Sequence, residues 1–174
     1  MRGLTIIEVL VALVIFSVIA MGIGYAVVAG KSALFVSDIP TQLRQDLLFA
    51  LMPMERELRQ TAPSKINLTE GTVSNAVTFQ IPHDDDVPAD GIVVDDIGNI
   101  EWGQGITYAL DGTGQLIRSQ AGTTKVVAAN IASLQFSRPA GQDAIIQIDI
   151  TVQKADGQGV LHQDTEQAVV KMRN

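Results

Sequence analysis

Carboxylates are the reactive groups that gather most densely in this sequence. His83-Asp84-Asp85-Asp86, followed by Asp90, Asp95 and Asp96, is the tightest acidic cluster. Several carboxylates on one loop are what a hard cation such as calcium requires. The spacing does not match an EF-hand loop, so the cluster is read as a solvated acidic loop and no metal is assigned. His83 and His162 fall on separate segments. Without an H-E-x-x-H or a G-x-S-x-G elbow, neither a zinc-protease nor a hydrolase constellation is expected. Asp111-Gly112-Thr113-Gly114 leads from one strand into another, so it reads as a turn with two glycines for positive φ, not as a phosphate loop. Trp102 reads as a core or rim residue. The absence of cysteine excludes disulfides, zinc thiolates and thiol catalysis. No enzyme and no cofactor are expected.

One carboxylate stands apart. Glu8 lies at the edge of an apolar run, and after it no charge appears until Lys31. Val9 to Ala29 as a helix would be roughly 30 Å long at about 1.5 Å per residue, the thickness of a bilayer's hydrocarbon core. A carboxylate at the edge of such a helix costs about 3 kcal/mol unless it is paired or reaches the interface. Arg2 on the short side favours a cytoplasmic N-terminus and an outward C-terminal part. No secretory-type cleavage site follows the apolar run before Lys31.

The run Gly3-Leu4-Thr5-Ile6-Ile7-Glu8-Val9-Leu10-Val11-Ala12-Leu13 resembles the prepilin processing signal of type IV pilins and type II secretion pseudopilins. That signal joins a short basic leader ending in glycine to a hydrophobic first residue and a glutamate at the fifth mature position. Here the leader is Met1-Arg2-Gly3, the mature chain begins at Leu4, and Glu8 is fifth. Leu4 stands where phenylalanine or methionine is commoner. The resemblance implies cleavage between Gly3 and Leu4 by a prepilin peptidase and N-methylation of Leu4. It also implies that Glu8 acts in assembly, pairing with the freed amino group of Leu4 on a neighbouring subunit. The implied partners are other pseudopilins or minor pilins and an inner-membrane assembly platform. The implied location is the inner membrane, single-pass with a periplasmic head, and then a periplasmic or surface fibre.

The remaining elements must position this anchor. Ser37-Asp38-Ile39-Pro40 interrupts the apolar run, where either a new helix starts or one long helix kinks. Leu43, Leu47, Leu51, Met54 and Leu58 then form an amphipathic stripe, with Arg44, Asp46, Glu55, Arg56, Glu57 and Arg59 on the other faces. Pro53 predicts a further kink, and Thr61-Ala62-Pro63 a stop. Beyond it the period becomes alternating. Strands are expected at Val77–Ile81, Ile106–Leu110, Gln115–Ser119, Lys125–Ala129, Ile131–Phe136, Ala144–Lys154 and Val160–Met172, with weaker runs at Ile92–Val94 and Asn99–Trp102. Hairpin turns make them antiparallel. The fold class is therefore α+β: a long N-terminal helix packed by its C-terminal half against an antiparallel β-sheet head. The divisions are a leader (1–3), a transmembrane or fibre-core helix (4–36), its amphipathic continuation (37–62) and a β-rich head (63–174).

Arg2 and Glu8 cancel, so the formal net charge of −7 resides in the part after the anchor. An acidic head argues against nucleic acid as a partner. Met54-Glu55-Arg56-Glu57-Leu58-Arg59-Gln60, the paired strands and the closing Val170–Asn174 are similar to J-type pseudopilins and W-type minor pilins, whereas Glu8 counts against the K type. The expected function is that of a minor pilin-like subunit of a type II secretion system or type IV pilus. The alternatives are a tip adhesin or DNA-uptake pilin with a ligand-binding head, and an unrelated membrane-anchored β-domain.

Overall fold

A single helix, α1 (Ile6–Leu58), carries both the apolar run and the amphipathic stripe. The computed structural model describes residues 6–84, 91–95, 97–157 and 159–173, with the backbone alone for residues 29 and 31–37. At about 1.5 Å per residue α1 is roughly 80 Å long. Its first part, Ile6–Val28, is long and apolar enough to cross a membrane, with a mean hydropathy of 2.8 and none of it buried by the rest of the chain. Within it the Ser17 hydroxyl donates back to the carbonyls of Leu13 and Val14, both at 2.9 Å, so this polar group is satisfied without water.

The helix passes through Pro40 and Pro53 without a break. Each proline removes a backbone bond and costs about 3 kcal/mol or more. Ile39 and Leu43 flank Pro40, Leu51 and Met54 flank Pro53, and all four are buried. Full burial of such a side chain is worth about 1.5–3 kcal/mol, so packing on both sides of each proline outweighs the local defect.

Among the described residues the head has eight strands in two four-stranded antiparallel sheets. One sheet has the order β1 (Val73–Ser74), β6 (Ile131–Ser137), β7 (Ile145–Ala155), β8 (Leu161–Lys171). The other has the order β2 (Ala76–Phe79), β3 (Ile106–Leu110), β4 (Leu116–Gln120), β5 (Thr123–Ala128). The chain changes sheets twice, between Ser74 and Ala76 and again at Asn130, which adopts φ +63°. That left-handed residue turns β5 away from β6, and its side-chain amide donates to Asp46 on α1 at 3.1 Å. The weaker runs form no strands and contribute only the isolated pairs Val94–Ile100 and Pro82–Trp102.

The helix stripe is the core's central layer. Leu43, Leu47, Leu51, Met54 and Leu58 are buried together with Ile146, Ile148, Ile150 and Val152 of β7, the residues that alternation assigns to one face. Of the two turn glycines in Asp111–Gly114, only Gly114 takes positive φ (+76°). A Cβ there would meet the Ile131 carbonyl oxygen at 3.0 Å. The β4–β5 turn pairs Ala121 (φ +53°) with Gly122 (φ +76°). Two left-handed central residues suit a hairpin, but alanine is strained there by about 1–2 kcal/mol. Ala121→Gly should raise stability by about 0.5 kcal/mol once glycine's extra chain entropy is subtracted, read as a higher urea midpoint at unchanged slope.

Candidate functional site

The first candidate site is the start of α1. Glu8 sits in the first turn of the helix, where the macrodipole favours a negative charge. Its residue is exposed, as are the apolar residues around it, Ile7 and Val9 at 70% and 48%. Gly3 and Leu4, the expected cleavage and methylation positions, lie outside the described residues. Among the described residues this end is thus an exposed apolar helix with a carboxylate in its first turn.

The acidic cluster forms no metal centre among the described residues, where no group of three or more His, Asp or Glu side chains converges. Asp85, Asp86, Asp90 and Asp96 lie outside them. Asp84 accepts the Gly91 N–H. Asp95 accepts the N–H groups of Ile97 at 3.0 Å and Asn99 at 2.7 Å. The backbone bond from Asn99, then its side-chain amide, hold the Asp95 carboxyl below the usual carboxylate range. Asp111 is lowered likewise, chiefly by the Gln115 N–H. Both carboxylates serve as turn-formers. His162 lies 3.1 Å from Asp156 across the β7–β8 turn, far in sequence from His83. Trp102 is half-buried with the Lys65 ammonium 5.5 Å from its ring centroid, so it sits at the rim of the head.

A second constellation escaped sequence reading. Glu57, expected on a solvent face of the helix, is only 9% exposed. Its carboxylate accepts the Tyr108 hydroxyl at 3.0 Å and the Arg118 Nε at 3.1 Å from each oxygen. Arg118 Nη2 in turn donates to Gln120 Oε1 at 2.8 Å. Tyr108 and Arg118 are direct cross-strand partners on β3 and β4. A signal existed: Arg118 shares the face of buried Leu116, and Glu57 lies three residues after Met54, at the border of the stripe. Both carboxylate oxygens are engaged, so the cluster holds helix to sheet and presents no free acid or base. Phe79 stacks on Tyr108 with centroids 6.2 Å apart and completes the seal.

Burial, and then the charge of Glu57 and its hydrogen bond, push the Tyr108 phenol well above its ordinary 10.0. The folded state therefore holds this proton more tightly than the unfolded chain. Its contribution is fully present below about pH 10 and is lost as pH rises above that value. Burial opposes the charge on Arg118, but its contacts with Glu57 prevail and hold the guanidinium above its ordinary value. Denaturation midpoints should thus fall above pH 10, and Tyr108→Phe should flatten that fall. Urea titrations across this range, monitored with tyrosinate absorbance, check both.

Residues 1–24 match the model of the prokaryotic N-terminal methylation motif. No curated protein and no solved structure matches the chain. The matched segment contains Gly3, Leu4 and Glu8 and ends within the apolar part of α1. It supports a type IV pilin-like N-terminus, implies processing by a prepilin peptidase, and agrees with membrane anchoring through one helix.

Proposed function

We propose that this chain is a minor pilin-like subunit, a pseudopilin, of a type II secretion system or type IV pilus, closest in kind to a J-type pseudopilin or W-type minor pilin. A prepilin peptidase cleaves after Gly3, and Leu4 is N-methylated. The chain first resides in the inner membrane with its head in the periplasm, and then enters a fibre or its tip through α1. Its work is assembly and transmission of movement along the fibre, not catalysis. The carrying observation is the unbroken α1, whose exposed, membrane-length first part runs directly into the stripe that forms the core of the head. A helix continuous from anchor to head transmits displacement without a flexible joint. Glu8 then supplies the register, because an ionised group in an apolar fibre core is stable only opposite a cation such as a neighbour's terminal amine.

Mass spectrometry of the chain from cells with active prepilin peptidase should find a mature N-terminus at Leu4 carrying one methyl group. A chain still starting at Met1 overturns the proposal. Glu8→Ala should be processed normally yet be depleted from fibres or from complexes with other pseudopilins. Undiminished incorporation would remove the pairing role.

A further inference from the structure

Strand β8 ends its sheet, and α1 overhangs its outer edge. β8 is 11 residues long and pairs along its whole length with β7 on one side. No strand among the described residues pairs with the other side. The end of the strand shows which backbone groups face outward. The Met172 N–H donates to the Ala144 carbonyl at 2.8 Å, and the next N–H, of Arg173, turns away to the Thr61 carbonyl at 2.9 Å. Bonding alternates along an antiparallel ladder. Even-numbered residues of β8 therefore bond to β7, and the odd-numbered ones from Leu161 to Lys171 direct their N–H and C=O groups outward. Asp164 Oδ1 takes the Thr165 N–H at 3.0 Å. The rest of the row is a template for a further strand.

Side chains sort the same way. Odd-numbered ones face away from α1, with the Thr165 hydroxyl 3.0 Å from that of Thr151 and Gln167 donating to Asp149 at 2.6 Å. Even-numbered ones face the helix: Ala168 and Val170 are buried, and Asp164 and Glu166 emerge beyond them. Between helix and edge lie two adjoining hollows of about 590 and 370 Å³ that share Arg44, Leu48 and Asp164. Together they make one trough with α1 as its wall and β8 as its floor. The wall presents Leu48 and Met52, 57% and 65% exposed, which the sheet leaves uncovered. Glu55 is paired with Arg59 at 3.1 Å, and Asp164 and Glu166 against Arg44 leave the rim net negative.

We propose that this trough takes an extended segment of another protein chain by strand addition to β8. On the trough face, which takes every second side chain, the segment would carry lysine or arginine opposite Asp164 and Glu166 and apolar side chains at the flanking positions, toward Leu48 and Met52. The backbone row supplies affinity, and the helix wall with its acidic rim supplies selectivity. A second copy of this chain fits less well. Antiparallel pairing of two β8 strands about Thr165 would set Asp164 of one copy against Glu166 of the other, and like charges directly opposite are destabilising. The proposal rests on the head and the part of α1 packed against it, and stands or falls independently of processing at Gly3.

The test uses the full chain in detergent micelles and, as probe, an end-blocked nine-residue peptide with threonine at its odd positions, valine at the second and eighth and lysine at the fourth and sixth, so that valines and lysines share one face. Two further peptides are N-methylated on either the threonines or the valines and lysines, which blocks one backbone edge each. The parent peptide should slow amide exchange at Gln163, Gln167 and Val169, and one methylated peptide, not both, should bind about tenfold or more weakly. Gln167→Pro removes an outward donor without touching the β7 ladder and should cause a similar loss. Asp164→Lys combined with Glu166→Lys alters only partly or fully exposed side chains and should do the same, which decides the matter if the proline variant fails to fold. Failure of the parent peptide to protect these amides overturns the proposal. So does equal binding of both methylated peptides, or protection that grows with protein concentration in the absence of peptide, which would make a second copy the occupant.

Discussion

Replacing Glu57 by leucine should destabilise the head by about 3 kcal/mol, although the substitution adds apolar surface to a nearly buried position. The cost does not come from the lost carboxylate. It comes from what remains: the Arg118 guanidinium, whose side chain is 24% exposed, and the Tyr108 hydroxyl, fully enclosed. Breaking a fully buried pair costs about 3–5 kcal/mol, whereas an exposed pair is worth about 1 kcal/mol or less. The partial exposure of Arg118 places this case at the lower end of the buried range. For a head of this size the shift in melting temperature would be on the order of 10–20 °C. Removing both partners, as Glu57→Leu with Arg118→Leu, should recover part of the loss, because two apolar residues leave no uncompensated charge. Thermal melts of the parent, Glu57→Leu, Arg118→Leu and the double variant measure the coupling directly. A loss below about 1 kcal/mol for Glu57→Leu would mean that the cluster behaves as an ordinary surface ion pair.

Leu58→Asp should have the larger effect and release the head from its helix. Leu58 ends α1 and is completely buried. Truncation to alanine at such a site costs about 2–5 kcal/mol. A carboxylate at so enclosed a position would also be desolvated, which adds several kcal/mol more. The sum is comparable with the whole stability of a typical domain, about 5–15 kcal/mol. Cooperative unfolding of the head, followed by Trp102 fluorescence and by limited proteolysis, should be lost in Leu58→Asp and retained at a lower midpoint in Leu58→Ala. Phe49→Asp, at a 65% exposed position on the same helix, is the control and should melt close to the parent. Equal tolerance of Leu58→Asp and Phe49→Asp would show that the head does not depend on the helix stripe.

The contrast between Phe49 and Leu58 also marks where sequence reading succeeds. Periodicity separates them cleanly, since the spacing of Leu43, Leu47, Leu51, Met54 and Leu58 holds one helix face together. Alternation likewise assigned Ile146, Ile148, Ile150 and Val152 to the core. Periodicity cannot say how many sheets a set of hairpins makes. That depended on two backbone positions, around Asn75 and at Asn130, where the chain leaves one sheet for the other. Nor could it say whether Pro40 and Pro53 end the helix, because the opposing term is burial supplied by distant strands.

The polar groups divide in the same manner. Glu8 was legible at once, because an isolated carboxylate in a run of uncharged residues is conspicuous without any fold. Glu57 was not, because it lies among Glu55, Arg56 and Arg59, and only the approach of β3 and β4 separates it from those exposed neighbours. The trough beside β8 was equally invisible, since it requires knowing that β8 is an edge and that α1 lies over it.

The sequence by itself determined the membrane-length apolar helix, the methylation motif with Glu8, the helical stripe and the alternating strands. All of these are local: they rest on residue spacing along one element and on the cost of placing apolar or charged groups in water or lipid. The tertiary structure alone decided the split into two sheets, the burial of Glu57 with Tyr108 and Arg118, and the open edge of β8. Those outcomes depend on which elements meet across long stretches of chain, and no local pattern carries the free energy of that meeting.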